Sequence, residues 1–120
     1  MLQNKREVGA NYEKIAGEYL ILQGYEIIEY NFYSRIGEID IVARDLKEGY
    51  IAFIEVKYRS NTDFGMPYEA VDIRKQNKII KVSKKYIEDK KLKFYDKYRY
   101  DVVSIYNNHF DLIKNAFGGF

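Results

Sequence analysis

The sequence has no cysteine and no tryptophan, and its 120 residues include a single proline. Without cysteine the chain can form neither a disulfide nor a thiolate metal site, and at this length it can bury enough core to fold without them. No apolar run approaches the ~18–20 residues of a membrane span, and no apolar signal core follows the first methionine. We therefore expect one soluble, cytoplasmic domain over residues 1–120 that does not bind a membrane.

Charge is uneven along the chain, although the net charge is only +2. The segment Arg74–Arg99 carries eleven Lys or Arg residues against three Asp or Glu residues, a local charge of +8. Together with 13 tyrosines, this basic segment favours a partner that offers phosphates and bases, namely a nucleic acid. The alternative is a lysine-rich helix face that does no more than keep the protein in solution.

Hydrophobic periodicity predicts an α/β fold whose elements follow the order α-β-β-β-α-β-β. Apolar residues recur at helical spacing in the first segment, and the strand segments are rich in β-branched and aromatic residues. An antiparallel meander followed by a helical crossover predicts a central mixed sheet flanked by helices. The predicted helices span 9–23 and 72–91, and the predicted strands span 25–33, 38–44, 50–59, 99–106 and 109–114.

The second predicted helix has an apolar face and a basic face. The residues expected to face the core are Ile73, Ile79, Ile80, Ser83, Tyr86 and Ile87. The opposite stripe is expected to carry Lys75, Lys78, Lys81 and Lys85. These four lysines are the candidates for nucleic-acid contact, together with Arg59 at the end of the third strand.

Two acidic residues and a lysine lie in strands that are otherwise largely apolar, where unpaired charges are seldom buried. Glu55 and Lys57 are two residues apart, so they project from the same face of the third strand. Pairing the ends of the hairpin loop Asp45–Gly49 and counting back sets Asp40 near Ile54, within one position of Glu55. The three charged groups are therefore expected to meet.

Two carboxylates beside an ammonium group suit a hard cation such as Mg²⁺, which takes one or two protein carboxylates and keeps several waters. Mg²⁺ or Mn²⁺ held by Asp40 and Glu55 would polarise a phosphoryl oxygen and generate hydroxide near neutral pH. Lys57 would orient that water or offset the charge that develops on phosphorus. The alternative is an ordinary ion pair of Glu55 with Lys57 or Arg59 at a strand edge.

These residues also carry a resemblance to known families. The first is to the PD-(D/E)xK nuclease signature, which the pattern of Asp40 followed after fourteen residues by Glu55-Val56-Lys57 resembles. A longer set of strings, which covers nearly the whole chain, is similar to the bacterial YraN-like family. In chain order these strings are Glu13-Lys14-Ile15-Ala16, Tyr19-Leu20, Gly24-Tyr25, Asn31-Phe32, Gly37-Glu38-Ile39-Asp40, Phe53-Ile54-Glu55-Val56-Lys57-Tyr58-Arg59, Phe64-Gly65, Lys75, Tyr100-Asp101-Val102-Val103 and Ala116-Phe117.

The resemblance implies a restriction-endonuclease-like fold related to Holliday-junction resolvases. It implies Asp40 and Glu55 as metal ligands, Lys57 as the catalytic lysine, and Glu13 as the first-helix glutamate that completes such sites. Without the resemblance, the sequence pattern leaves two alternatives for Glu13, which is either a member of the site or a solvated helix glutamate. Tyr12 stands where the family usually has glycine, and Ile39 stands where the nuclease signature has proline.

Three functions remain open at this stage. The first is a Mg²⁺- or Mn²⁺-dependent endonuclease that hydrolyses phosphodiester bonds in DNA, with branched or structured DNA as the form that the resemblance suggests. The second is a nucleic-acid-binding protein that keeps the nuclease fold without cutting. The third is an interaction protein whose lysines serve solubility. Resolvase-like nucleases often act as dimers, so a homodimer is a further expectation from the resemblance.

Overall fold

The computed structural model describes residues 5–59, 71–92 and 97–118, and it describes side chains of the first helix from residue 11 onward. Phe64-Gly65 of the family pattern lies outside these residues. Two helices and five strands follow one another in the predicted order, so the predicted α/β fold class is confirmed. The elements are α1 (Lys5–Leu22), β1 (Tyr25–Tyr33), β2 (Glu38–Asp45), β3 (Ile51–Arg59), α2 (Ile73–Asp89), β4 (Tyr98–Tyr106) and β5 (His109–Phe117).

The five strands form one mixed sheet in the order β1-β2-β3-β4-β5. β3 and β4 run parallel, and the other neighbouring pairs are antiparallel. The parallel pair needs a crossover, which α2 supplies. Asn107 and Asn108 join β4 to β5 with φ of 47° and 62°, a left-handed conformation that asparagine tolerates better than most residues.

The two helices pack on opposite faces of the sheet. Alternate residues of β3 point to opposite faces, with Ala52 and Ile54 on the α1 side and Ile51 and Phe53 on the α2 side. Within the described part of the chain, neither helix is long and apolar enough to cross a membrane. The buried residues that the helices contribute are Ala16 and Leu20 from α1 and Ile79, Val82, Ser83 and Tyr86 from α2.

The prediction for the faces of α2 is wrong at its first turn. Ile73 was expected in the core but is 69% exposed. At about 100° per residue, Ile73 lies about 120° around the helix from the buried Ile79, whereas Lys75 lies only about 40° away from it. Lys75 therefore leaves the predicted lysine stripe and turns toward the sheet, while Lys78 and Lys81 remain exposed.

A buried charge network joins the strands at the end of β3 that lies farthest from Lys57. Arg99 is 5% exposed and donates to carboxylates of Asp45 and Asp101 at 2.8 Å, to Glu48 at 3.0 Å and to the Tyr25 hydroxyl at 2.9 Å. A buried guanidinium is tolerated because its donors are occupied in this way. The network ties β1, the β2–β3 loop and β4 together.

Asp45 of this network is held in its charged form. Burial alone would raise the pKa of Asp45, but hydrogen bonds from Arg99 and Lys114 outweigh it and lower the pKa to about 2. Lys114 of β5 lies 3.1 Å from the Asp45 carboxylate. The Asn115 amide donates to Asp101 at 2.9 Å. The network thus also fixes the edge strand β5.

Replacing Arg99 should destabilise the fold strongly. We expect Arg99→Met to lower the free energy of unfolding by about 3–5 kcal/mol, because Asp45 and Asp101 then remain buried without their partner. Urea denaturation at pH 7 measures this. Lys78→Met removes the same charge from an exposed position and should change stability by less than about 0.5 kcal/mol. A loss below about 1 kcal/mol for Arg99→Met would contradict the role assigned to the network.

Candidate functional site

The site forms where β2 and β3 part. The described pairs of this ladder run from Arg44–Ile51 to Ile41–Ile54. Continuing the register by one residue places Asp40 opposite Glu55. The prediction had set Asp40 opposite Ile54, so it was wrong by one residue, although the expected approach to Glu55 holds.

The hairpin loop explains the difference in register. Asp45 pairs with Tyr50 rather than with Gly49, since its amide donates to the Tyr50 carbonyl at 2.8 Å. The Asp45 carboxylate accepts from the amides of Lys47 and Glu48 at 3.0 and 3.2 Å, which tightens the turn. Gly49, with φ of 80°, closes the loop in a conformation that favours glycine.

Asp40 lies at a break in the pleat of β2. Ile39 packs on the α2 side of the sheet, whereas Ile41 packs on the α1 side, although strict alternation would give them the same face. The β1 residue opposite Asp40 is Asn31, whose φ of 53° is left-handed. The Asp40 carboxylate accepts the Val56 amide of β3 at 2.8 Å, so a side chain takes the place of a strand partner.

Three carboxyl groups meet at this break: Glu13 from α1, Asp40 from β2 and Glu55 from β3. Asp40 and Glu55 are 7% and 6% exposed. Burial, followed by the charge of Asp40 and contact with it, raises the pKa of Glu55 to about 8. The same causes in the same order raise the pKa of Glu13 to about 7. Asp40 therefore lies between the other two groups, and the predicted participation of Glu13 agrees with its position.

Two carboxylate oxygens of this cluster lack a hydrogen-bond partner among the residues that the structure describes. They are Oε2 of Glu13 and Oε2 of Glu55, and both are buried. The nearest measured cation is Lys75, whose Nζ lies 3.7 Å from the other oxygen of Glu55, Oε1. The charge of Lys57 also lowers the pKa of Glu55, so the structure brings this predicted lysine close to the acids as well.

The remaining predicted residues lie at varying distances from the cluster. Arg59 is half-buried at the end of β3. Lys78, Lys81 and Lys85 are exposed along α2, and Lys85 pairs with Asp89 at 3.5 Å. These three lysines form an exposed row, which we call the α2 lysine row. They stand apart from the carboxyl groups and belong to a surface rather than to the site itself.

A stacked tyrosine pair flanks the site. The rings of Tyr12 and Tyr58 are parallel within 19°, with centroids 3.9 Å apart. Tyr12 immediately precedes Glu13 on α1, and Tyr58 immediately follows Lys57 on β3. The pair therefore fastens α1 to the end of β3, at the level where Glu13 approaches Asp40.

The donor set fits a hard divalent cation. Carboxylate oxygens are the ligands that Mg²⁺ and Mn²⁺ prefer, and a buried oxygen without a hydrogen-bond partner is a ready ligand. Asp40 and Glu55 would hold such an ion, with water at its other positions. Among the residues that the structure describes, no group of three or more His, Asp or Glu side chains is placed to hold one ion.

A cavity of about 430 Å³ opens at the opposite end of the sheet and has a different character. Its charged groups belong to the Arg99 network, where acids and bases already satisfy one another. That end of the molecule is therefore structural. The lining residues are Glu48, Tyr50, Tyr98, Arg99, Lys114 and Asn115.

The sequence reasoning assigned no role to Asn31. It lies opposite Asp40, and a hydrogen bond with it partly opposes the rise in the pKa of Glu13. Asparagine inside a strand of β-branched and aromatic residues was the available signal, because asparagine is one of the few residues that readily adopt a left-handed φ.

The fold and the site together define an α/β protein with a buried carboxyl cluster, flanked by two lysines, at the end of a central strand. The model of the uncharacterised protein family UPF0102 matches residues 12–105, and the chain belongs to this family. The predicted resemblance to YraN-like proteins is thereby confirmed.

Relatives in other bacteria are similar over most of their length. A UPF0102 protein from Caldanaerobacter subterraneus subsp. tengcongensis is 47% identical over 105 residues, covering 88% of this chain and 84% of the relative. One from Fusobacterium nucleatum subsp. nucleatum is 47% identical over 116 residues, covering 97% and 95%. One from Lachnoclostridium phytofermentans is 44% identical and covers 98% of both chains. These matches establish kinship, and the activity must be argued from the site.

The raised pKa of Glu55 predicts how stability depends on pH. The folded protein keeps a proton on Glu55 up to about pH 8, whereas the unfolded chain releases it near its ordinary value of 4.5. The unfolded state therefore binds fewer protons between these values, and the free energy of unfolding should fall as pH rises through them.

Glu55→Gln should remove the part of this dependence that Glu55 contributes, because glutamine resembles the protonated carboxyl group. In metal-free buffer we expect the variant to exceed the parent protein in stability by more than about 1 kcal/mol at pH 8 and to match it near pH 4. Urea denaturation at several pH values measures the difference. Glu88→Gln, on the exposed side of α2, is the control, and parallel curves for parent and Glu55→Gln would show that Glu55 titrates normally.

Proposed function

We propose that this protein is a nuclease that uses Mg²⁺ or Mn²⁺ to hydrolyse phosphodiester bonds in DNA, with branched or structured DNA as the expected substrate. The observation that supports this most is the approach of Asp40 to Glu55, whose buried Oε2 has no hydrogen-bond partner in the described part of the chain, with Lys57 near enough for its charge to lower the pKa of Glu55. The resemblance of these residues to the PD-(D/E)xK signature points in the same direction.

The carboxylates of Asp40 and Glu55 would hold the metal ion. When bound, the ion polarises a phosphoryl oxygen and lowers the pKa of a coordinated water. Asp40 is well suited to its role because the Val56 amide fixes one of its oxygens at 2.8 Å, which orients the carboxylate. Glu55 contributes an oxygen with no competing hydrogen bond.

Lys57 and Glu13 would act beside the ligands. An ammonium group on Lys57, near Glu55, can orient the attacking water or offset negative charge as the phosphorus–oxygen ester bond breaks. Glu13, with its raised pKa and contact with Asp40, can hold or accept a proton at neutral pH. The α2 lysine row, with Lys75 and Arg59, would contact backbone phosphates of the substrate.

Cleavage assays test the proposal. Labelled single-stranded, duplex and four-way-junction DNA is incubated with the protein in Mg²⁺, in Mn²⁺ or in EDTA. We expect metal-dependent cleavage, and a loss of at least about 100-fold in Asp40→Asn, the order lost with a main electrostatic group. Asparagine can still accept the Val56 amide, so the fold should survive.

Asp89→Asn, a matched change on the exposed side of α2, should cleave as the parent protein does. Cleavage of equal rate in Asp40→Asn would identify a contaminating enzyme and remove the support for this function. Comparing the cleavage rates of the junction and of the plain duplex separates a preference for branched DNA from general cleavage.

The α2 lysine row favours a second candidate, a nucleic-acid-binding protein that does not cut. Lysines exposed at helical spacing on one helix can follow a phosphate backbone whether or not chemistry occurs beside it. This function predicts binding that falls steeply with salt and no cleavage with any divalent metal.

The salt dependence of binding locates the phosphate contacts. If about five phosphates are neutralised, the plot of log affinity against log salt concentration should have a slope of about −4.5. The double variant Lys78→Gln/Lys81→Gln should make that slope shallower by about 1.8, which corresponds to two contacts. Fluorescence anisotropy with labelled duplex DNA in EDTA measures both.

Lys47→Gln/Lys97→Gln removes two exposed lysines that lie outside the α2 lysine row and should leave the slope unchanged. An equal effect of the two double variants would mean that binding reports net charge rather than a defined surface.

A further inference from the structure

Lys75 differs from the other lysines of α2 in where its ammonium group lies. Asp72 caps the helix and accepts the Lys75 amide at 2.8 Å, so the backbone at Lys75 is fixed. From there the side chain reaches Glu55, with Nζ 3.7 Å from Oε1. Lys78 and Lys81 point to solvent from the same helix. The chain thus places one of its own cations at the carboxylates.

The contact between Lys75 and Glu55 is a charge interaction that is easily exchanged. At 3.7 Å it exceeds the 2.7–3.2 Å of a good hydrogen bond, and the Lys75 side chain is 37% exposed. The Glu55 side chain is 7% exposed, and within the described part of the chain its second oxygen has no hydrogen-bond partner. Lys75 therefore offsets the charge of Glu55 without occupying the oxygen that a ligand would use.

We propose that Lys75 is a tethered counter-cation that sets the divalent-ion threshold of the site, because its ammonium group stays beside Glu55 until a divalent ion displaces it. This inference rests on the proposed metal-dependent function. An ammonium group and a divalent ion repel each other over a few ångströms, so both cannot remain at Glu55. Lys75 is a positioning residue in this role, since it acts through Glu55.

Removing the tethered cation should make the site bind a divalent ion more tightly. Metal-free protein is titrated with Mg²⁺ by calorimetry at pH 9, where the carboxyl groups are ionised and protonation does not mask the effect. We expect Lys75→Met to bind Mg²⁺ about 10-fold more tightly than the parent protein, which is the order of one close unit charge. Lys75→Gln should behave like Lys75→Met, and Lys75→Arg should bind as the parent does.

Lys78→Met, three residues along the same helix, is the matched control and should leave the Mg²⁺ affinity unchanged. Thermal melts of the metal-free variants verify that each is folded. A parent protein that binds Mg²⁺ while Lys75→Met and Lys75→Gln bind it equally or more weakly would overturn the inference and leave the proposed function standing. Failure of the parent protein and all variants to bind Mg²⁺ would overturn both.

Discussion

The hydrogen bond from the Val56 amide to the Asp40 carboxylate links the fold of this protein to its site. It lies just beyond the last described β2–β3 pair, at the point where the ladder would continue through backbone groups. Because a side chain accepts the amide instead, the β2 backbone is not needed there and the strands can part. The space that opens is where Glu13 and Glu55 approach Asp40. A continuous ladder would leave these acids on a flat sheet surface.

The buried charged residues toward the two ends of β3 differ in how fully their hydrogen-bonding atoms are paired. At one end, Arg99 is surrounded by acceptors, and the acids around it have donors of their own. At the other end, two buried carboxylate oxygens have no donor, and the nearest measured ammonium group is 3.7 Å away. Both ends contain buried acids and nearby bases. The difference in hydrogen-bond satisfaction separates the Arg99 network from the carboxyl cluster.

Much of this arrangement could be predicted from the sequence, because it depends on local periodicity. The order of the elements and the approach of Asp40, Glu55 and Lys57 follow from strand alternation and a short hairpin. The exact register of β2 against β3 could not be predicted from the sequence, because it depends on whether Asp45 lies opposite Gly49 or Tyr50. Hydrogen bonds to the Asp45 side chain within the turn decide between the two.

Features that depend on tertiary contacts were beyond the reach of the sequence. The break in the pleat at Asp40 requires the left-handed Asn31 on the neighbouring strand, and nothing in the β2 sequence itself indicates it. The burial of Arg99 was also not indicated, because in the sequence this residue is one more charge of a basic segment. Lys75 is an intermediate case, because its helical angle relative to Ile79 was available from the sequence, although its partner on β3 was not.

The energetics of the carboxyl cluster argue against a purely structural origin. A buried acceptor without a donor costs about 1–3 kcal/mol, and this cluster contains two, against a total stability of about 5–15 kcal/mol for a typical domain. Burial, together with the charge of Asp40, raises the pKa of Glu13 to about 7 and that of Glu55 to about 8, whereas both glutamates would be ionised at neutral pH if they were in solvent. A fold gains nothing in stability from such a cluster, since apolar residues of similar size would serve the core better. A bound cation would offset this cost, and this is the physical reason for proposing that these acids form a binding site.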